Sequence, residues 1–171
     1  MKFRGIVIVA LGMLLAGCGG SSSGGDTAEE ETNLFPLDAN GDYLYNGEEE
    51  IAAVEVRDLE LAVETIQPAT ADSRLPWNSA KARCESLTLA GSGDWRLPTV
   101  SELAALQPTM TGRTDLFGEV RTYDYWSGDV YTFTVGDSST EPMYKKLNFA
   151  TGSQSLSAPT TAQLAFCVRD Q

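Results

Sequence analysis

Histidine does not occur anywhere in the 171 residues. Its absence removes Ser-His and Cys-His nucleophilic pairs and every histidine-ligated zinc site, and most hydrolase mechanisms go with them. Basic residues are scarce, with 12 Lys and Arg against 24 Asp and Glu and a formal charge of −12. The deficit is uneven. Between Cys18 and Ala69 thirteen acidic residues face a single basic one, Arg57, whereas Thr70 to Gln171 carries eleven acidic and nine basic residues. With no basic stripe to neutralise phosphates, nucleic acid is not an expected partner, and polyanions are disfavoured for the first part. Long apolar runs are also missing. The stretch from Ile6 to Leu15 is about half the roughly twenty residues that a membrane-spanning helix needs. Cysteine is limited to Cys18, Cys84 and Cys167, and there is no internal repeat.

Residues 1–17 have the three parts of an export signal: a basic start at Lys2 and Arg4, the apolar stretch, and small residues before a cysteine. Leu15-Ala16-Gly17-Cys18 resembles the lipobox of bacterial lipoproteins, whose cysteine is lipidated and becomes the mature N-terminus. That resemblance implies cleavage before Cys18 and attachment to a membrane through acyl chains (palmitate among them). Gly19, where Asp would mark retention, implies sorting to the outer membrane, facing periplasm or cell surface. Each buried methylene contributes about 0.8 kcal/mol, so several acyl chains suffice as an anchor. Residues 18–32 then read as tether, first Gly-Gly-Ser-Ser-Ser-Gly-Gly and then an acidic run without large apolar residues. Its reach as a random coil is roughly 20 Å.

About 140 residues follow, enough for one domain with a real core. They divide on composition into an acidic segment with a strand, 33–69, and a nearly neutral remainder, 70–171. Val54, Val56, Leu59, Leu61 and Val63 alternate with a slip near Asp58, which predicts a half-buried strand, bulged or turned at the slip. Trp77, Ala80, Cys84 and Leu87 fall on one face of a helix, with Lys81, Arg83 and Glu85 elsewhere. Thr99 three residues before Glu102 forms a capping-box pattern ahead of Leu103 to Leu106, and Pro108 is expected to stop that helix. Tyr125 to Ser127, Val130 to Val135, Tyr144 to Phe149 and Leu164 to Val168 predict short antiparallel strands. The class is α+β, with two helices and several strands.

Four blocks, Trp77 to Leu87, Gly93-Asp94-Trp95-Arg96-Leu97-Pro98-Thr99-Val-Ser-Glu102-Leu103, Tyr125-Trp126-Ser127 and Phe166-Cys167-Val-Arg169, occur in an order that resembles the Legionella collagen-like protein C-terminal domain family. The likeness runs from about Trp77 to Asp170 and implies a fold related to C-type-lectin-like and formylglycine-generating-enzyme domains. Within it, Trp77, Asp94, Trp95, Arg96, Leu97, Pro98, Thr99, Glu102 and Trp126 read as structural motif residues. Trp95-Arg96-Leu97-Pro98 would be a corner between two helices, with the arginine for a carboxylate or backbone carbonyls. With Cys18 taken by lipid, Cys84 and Cys167 are an even pair in an exported chain and are expected to be bonded. The resembling folds tie the first helix to the final strand in this way. Closing a loop of about 84 residues would contribute roughly 4 to 5 kcal/mol on chain-entropy grounds.

Catalysis finds little support. Formylglycine-generating relatives use a reactive cysteine pair, which lipidation and a structural bond leave unavailable, and no carboxylate pair stands out for glycoside hydrolysis. One other constellation is Asp38, Asn40, Asp42, Leu44, Asn46 and Glu49, which match positions 1, 3, 5, 7, 9 and 12 of a calcium loop. Tyr43 stands where that loop has glycine and Phe35-Pro36 argues against a flanking helix, so an acidic turn is the competing reading. The sugar-binding motifs of calcium-dependent lectins are absent, since Glu141-Pro142 is followed by Met143. Lys145-Lys146, with Arg113 and Arg121, is the sole basic candidate surface. Two readings follow: a non-catalytic binding module engaging a glycan or protein through Tyr123, Tyr125 and Tyr131, or an assembly lipoprotein docking an envelope partner.

Overall fold

The alternating stretch around Val54 is turned at its slip. In the computed structural model, which describes residues 33–45, 50–66, 73–132, 134–135, 138–139 and 142–171, strand β1 (Leu34–Leu37) is followed by β2 (Ala53–Val56) and β3 (Leu61–Glu64). A 3₁₀ turn over Arg57–Leu59, closed by Glu60 at φ 53°, joins β2 to β3 and resets the alternation. Val54, Val56, Leu61 and Val63 therefore share one core although they are out of phase in sequence. The signal segment, Cys18 and the tether lie outside the described residues. What is described belongs to one compact unit, Thr32–Gln171.

Helix α1 (Trp77–Glu85), helix α2 (Val100–Met110) and a single turn α3 (Thr114–Phe117) come next. A strand-rich half follows, with β4 (Asp124–Tyr131), β5 (Thr134–Val135), β6 (Ser138–Ser139), β7 (Met143–Asn148), β8 (Gln154–Ser157) and β9 (Val168–Asp170). The α+β class expected from sequence is what forms. Strands order as β1-β2-β3-β9 in one sheet, β4-β7-β8 in a second, and β5-β6 as a small ribbon. The acidic segment 33–69 thus supplies three strands of a sheet whose fourth is the C-terminal β9, so it shares a sheet with the part expected to begin at residue 70. Leu34, Val56, Leu61 and Asp170 lie in one row across that sheet, which puts the start of β1 and the end of β9 at the same end.

The sheet is covered on both faces, and side-chain size sorts them. Its larger aliphatic residues pack with Val100, Leu103, Leu106 and Met110 of α2 and with Tyr125, Phe149 and Phe166. On the other face the small Ala53 and Ala62 share a buried cluster with Ala80 and Cys84 of α1. Cys84 is bonded to Cys167 across 83 residues, as the even count implied. The first helix is thereby tied to the start of the last strand, as the resemblance implied.

The capping box is present: Thr99 Oγ1 accepts from the Glu102 N–H at 3.1 Å and the Thr99 N–H donates to Glu102 Oε2 at 2.7 Å. Pro108, expected to stop α2, sits inside it. Proline removes one intrahelical N–H, but Leu106 and Met110 are fully buried on either side of it and their burial outweighs that one bond. The short β1, β8 and α3 carry too few periodic residues to announce themselves. Conversely, Leu164 to Cys167 joins the sheets through single bridges rather than a continuous strand. Gly118 ends α3 at φ +70°, where a Cβ would lie 2.2 Å from the Ile66 carbonyl oxygen, so this close crossing admits only glycine.

Replacing Cys84 and Cys167 together with serine is expected to cost about 4 kcal/mol. Urea unfolding of oxidised chain, of the double variant and of the reduced chain measures it. Indistinguishable midpoints would remove the disulfide from the account of stability.

Candidate functional site

The corner residues are placed by hydrogen bonds to the chain's end. Arg96 and Val168 exchange both backbone hydrogen bonds, at 2.8 and 2.9 Å. The Arg96 guanidinium meets Glu102 at 2.8 and 2.9 Å and Asp170 at 2.5 Å. Hydrogen bonding to Glu102 raises the arginine's pKa from its ordinary value. Burial opposes ionisation of Glu102, yet the bonds from Arg96 and Thr99 outweigh it and hold this carboxyl below the usual glutamate range. Trp95, Leu97 and Pro98 are buried, and Asp94 accepts from the Ser92 hydroxyl, which lowers its pKa. The indole N–H groups of Trp77, Trp95 and Trp126 each reach a backbone carbonyl, of Ser127, of Leu89 and Ser92, and of Leu75 respectively. A shallow cleft beside this corner, about 290 Å³, contains Lys81, Glu85 and Asp129. These are spoken for: Lys81 pairs with Glu85, and Asp129 accepts the first N–H of α2 at 2.8 Å. The motif is structural in what it touches.

The three candidate tyrosines do not come together. Tyr125 is 2 % exposed and packs against Phe149 and Phe166, its hydroxyl accepting the Arg121 N–H, so it is core rather than ligand contact. It follows Tyr123 by two positions, but the start of β4 is clamped between sheets and the ring has nowhere to go but inward. Tyr123, just before β4, and Tyr131, its last residue, are about half exposed, and the residues they meet across the sheet, Phe149 and Met143, are separated by roughly 20 Å of chain. Arg74 stacks on Tyr123 at 4.7 Å. Tyr131 lines a groove of about 250 Å³ with Lys145, Gln154, Ser155 and Leu156. Of the basic candidates, Lys146 pairs with Asp124, Arg113 with Asp115 and Arg121 with Glu119, while Lys145 has no ion pair among the described residues.

Within the calcium-loop pattern, Asn46 and Glu49 lie outside the described residues. Asp38 Oδ1 accepts the N–H groups of Asn40 and Asp42 at 2.8 and 2.9 Å, and Oδ2 accepts from the Asn40 side chain. These bonds lower the Asp38 pKa, with the Asp42 N–H contributing most. Leu44 donates its N–H to the Pro36 carbonyl. Gly41 and Gly91 interlock this turn with the one at Ala90, since a Cβ on Gly41 would come 2.6 Å from the Ala90 carbonyl oxygen. Among the described residues no group of three or more acidic or cysteine side chains is arranged to hold a metal.

One pair was not anticipated from sequence. Glu64, at the end of β3, is 4 % exposed and faces α1, where Arg83 grips it with two bonds of 2.8 Å. Glu64 Oε1 also accepts the Cys167 N–H at 2.8 Å, and Arg83 Nη1 lies 3.1 Å from Cys167 Sγ. Burial pushes the Glu64 pKa up, against the pull of Arg83 and of that N–H. The pair forms the floor of a cleft of about 360 Å³. No sequence signal marks it, because the partners sit on different elements and Arg83 falls off the apolar face of its helix.

The chain belongs to the Lcl C-terminal domain family, which it matches over residues 48–169. No curated protein matches the sequence. Among solved structures it is similar to the crystal structure of botrocetin, at 10 % identity and a TM-score of 0.43, covering 66 % of this chain and 92 % of that one.

Glu102→Gln tests the corner's electrostatics. A folded-state pKa below the ordinary value gives stability that is present above the usual glutamate range and lost as pH falls through it. The variant is therefore expected to unfold more easily at neutral pH and to show a shallower loss of stability on acidification. Urea midpoints at neutral and acid pH measure this, and parallel pH profiles for both chains would refute it.

Proposed function

We propose that this chain is a lipid-anchored, non-catalytic binding module of the cell envelope, cleaved before Cys18 and held in the outer membrane by acyl chains on that residue. Its ligand is a glycan or a protein. The observation that carries the reading is the groove at Tyr131: an aromatic ring and Leu156 stand exposed beside an ammonium group, Lys145, that has no carboxylate partner among the described residues. Aromatic, aliphatic and hydrogen-bonding groups around one concavity suit sugar rings or a partner's side chains.

A non-catalytic role is supported by the chemistry of the chain. It has no histidine, its cysteines outside the anchor are bonded to each other, and Glu64, its most buried described carboxylate, is fully engaged by Arg83 and a backbone N–H. Calcium is not needed for this groove, which offers one ammonium and neutral side chains. An assembly role has one observation in its favour: β8 is the outer strand of its sheet, with Gln154, Ser155 and Leu156 exposed along it, and an open strand edge can pair with another chain.

The domain from Asn33 onward, presented to glycan and envelope-component arrays, is expected to bind a defined subset equally with and without calcium. Tyr131→Ala should weaken that binding at least about fivefold, the loss of one aromatic contact. Blank arrays, or binding indifferent to Tyr131, would favour assembly through β8. Separately, Cys18→Ser should abolish palmitate labelling and move the chain from the membrane to the soluble fraction. Retention on the membrane would overturn the anchor.

A further inference from the structure

Arg83 has more donors than its partner can use. Glu64 occupies the end of the guanidinium, with Nη1 bonded to Oε1 and Nη2 to Oε2, and the second Nη1 hydrogen points to Cys167 Sγ. This leaves the Nε–H and the outer N–H of Nη2, which lie side by side on one flank of the planar group. Neither has a partner among the described residues, and the arginine side chain is 31 % exposed. Arg83 lines the cleft of about 360 Å³, whose walls include Ile51, Ala52, Leu87 and Leu89.

We infer that this cleft is a binding site for a carboxylate carried on a small apolar body, with Arg83 holding the carboxylate through its free flank. Two parallel N–H groups match the two oxygens of a carboxylate in a way that a lysine cannot reproduce. Glu64 fixes the plane of the fork, since it is buried and itself held by the Cys167 N–H, so little order must be imposed on binding. The apolar walls take the body of the ligand. Glu50 and Glu64 line the same cleft, so the fork's paired N–H geometry and the apolar walls, not net charge, must hold the ligand. The C-terminal residue of a peptide and a free short-chain acid share this chemistry. The site is separate from the Tyr131 groove and does not depend on it.

The test uses the full chain, purified in detergent with its disulfide intact, and follows backbone amide shifts by NMR. N-acetyl-leucine represents a peptide terminus, hexanoate a free acid, and N-acetyl-leucinamide the same body without the charge. One or both acids should shift the amides of Ile51, Ala52, Thr65, Leu87 and Leu89, and the amide should not. Arg83→Lys, which keeps the charge beside Glu64 but loses the fork, should weaken binding about tenfold or more. Ala39→Phe, at an exposed position lining the cleft, should block it without disturbing the floor. Which acid binds more tightly identifies the source. Silence from both acids, equal binding of acid and amide, equal shifts with sulfate, or full affinity in both variants would each overturn the proposal. Array binding lost on Tyr131→Ala would be unaffected by any of these outcomes.

Discussion

The bond between Cys84 and Cys167 is the constraint around which the rest of the domain is arranged. It fixes a helix near the middle of the sequence to the residue just before the last strand. Around it the chain buries a carboxylate: Glu64 lies beside the disulfide and must be paired there, because an isolated carboxylate in that position would be expensive. Arg83, one residue before Cys84, is placed to do so by the same helix turn. A covalent tie, an ion pair and a backbone N–H thus converge on one spot, and each depends on the others for its geometry.

The sheet beside that spot is asymmetric. The face toward α1 carries Ala53 and Ala62 beside Leu37 and Glu64, and the face toward α2 carries valines and leucine. The family motif closes the other flank. Arg96 and Val168 pair through their backbones, and the Arg96 side chain then joins the capping box of α2 to Asp170, the last residue of β9. A single arginine serves as strand partner, helix-cap support and terminal clamp, which accounts for the run of specific residues around it without a ligand.

Local patterns in the sequence were readable where they were self-contained. Thr99 and Glu102 announce their helix because both halves of the box lie within one turn, and Trp77, Ala80 and Cys84 announce theirs by spacing alone. The disulfide was legible by counting. Pro108 misled because the burial that outweighs it comes from other elements. Tyr123 and Tyr125, similar in sequence, separate into a surface and a core residue only once β4 is seen clamped to Leu164 on one side and to β7 on the other. Glu64 and Arg83 could not be paired beforehand, since each looks like an ordinary solvated charge at its own position.

The row formed by Leu34, Val56, Leu61 and Asp170 gives the domain a mechanical character. The backbone enters β1 and leaves β9 at the same end of one sheet, so tension applied between these two points acts across the strands and peels hydrogen bonds in succession instead of shearing them together. From the C-terminal side, only the three residues of β9 would give way before the load reached Cys167 and passed through sulfur to α1. Beyond that point the pull is carried covalently, and the cleft floor and α1 face of the sheet stay together while the edge frays.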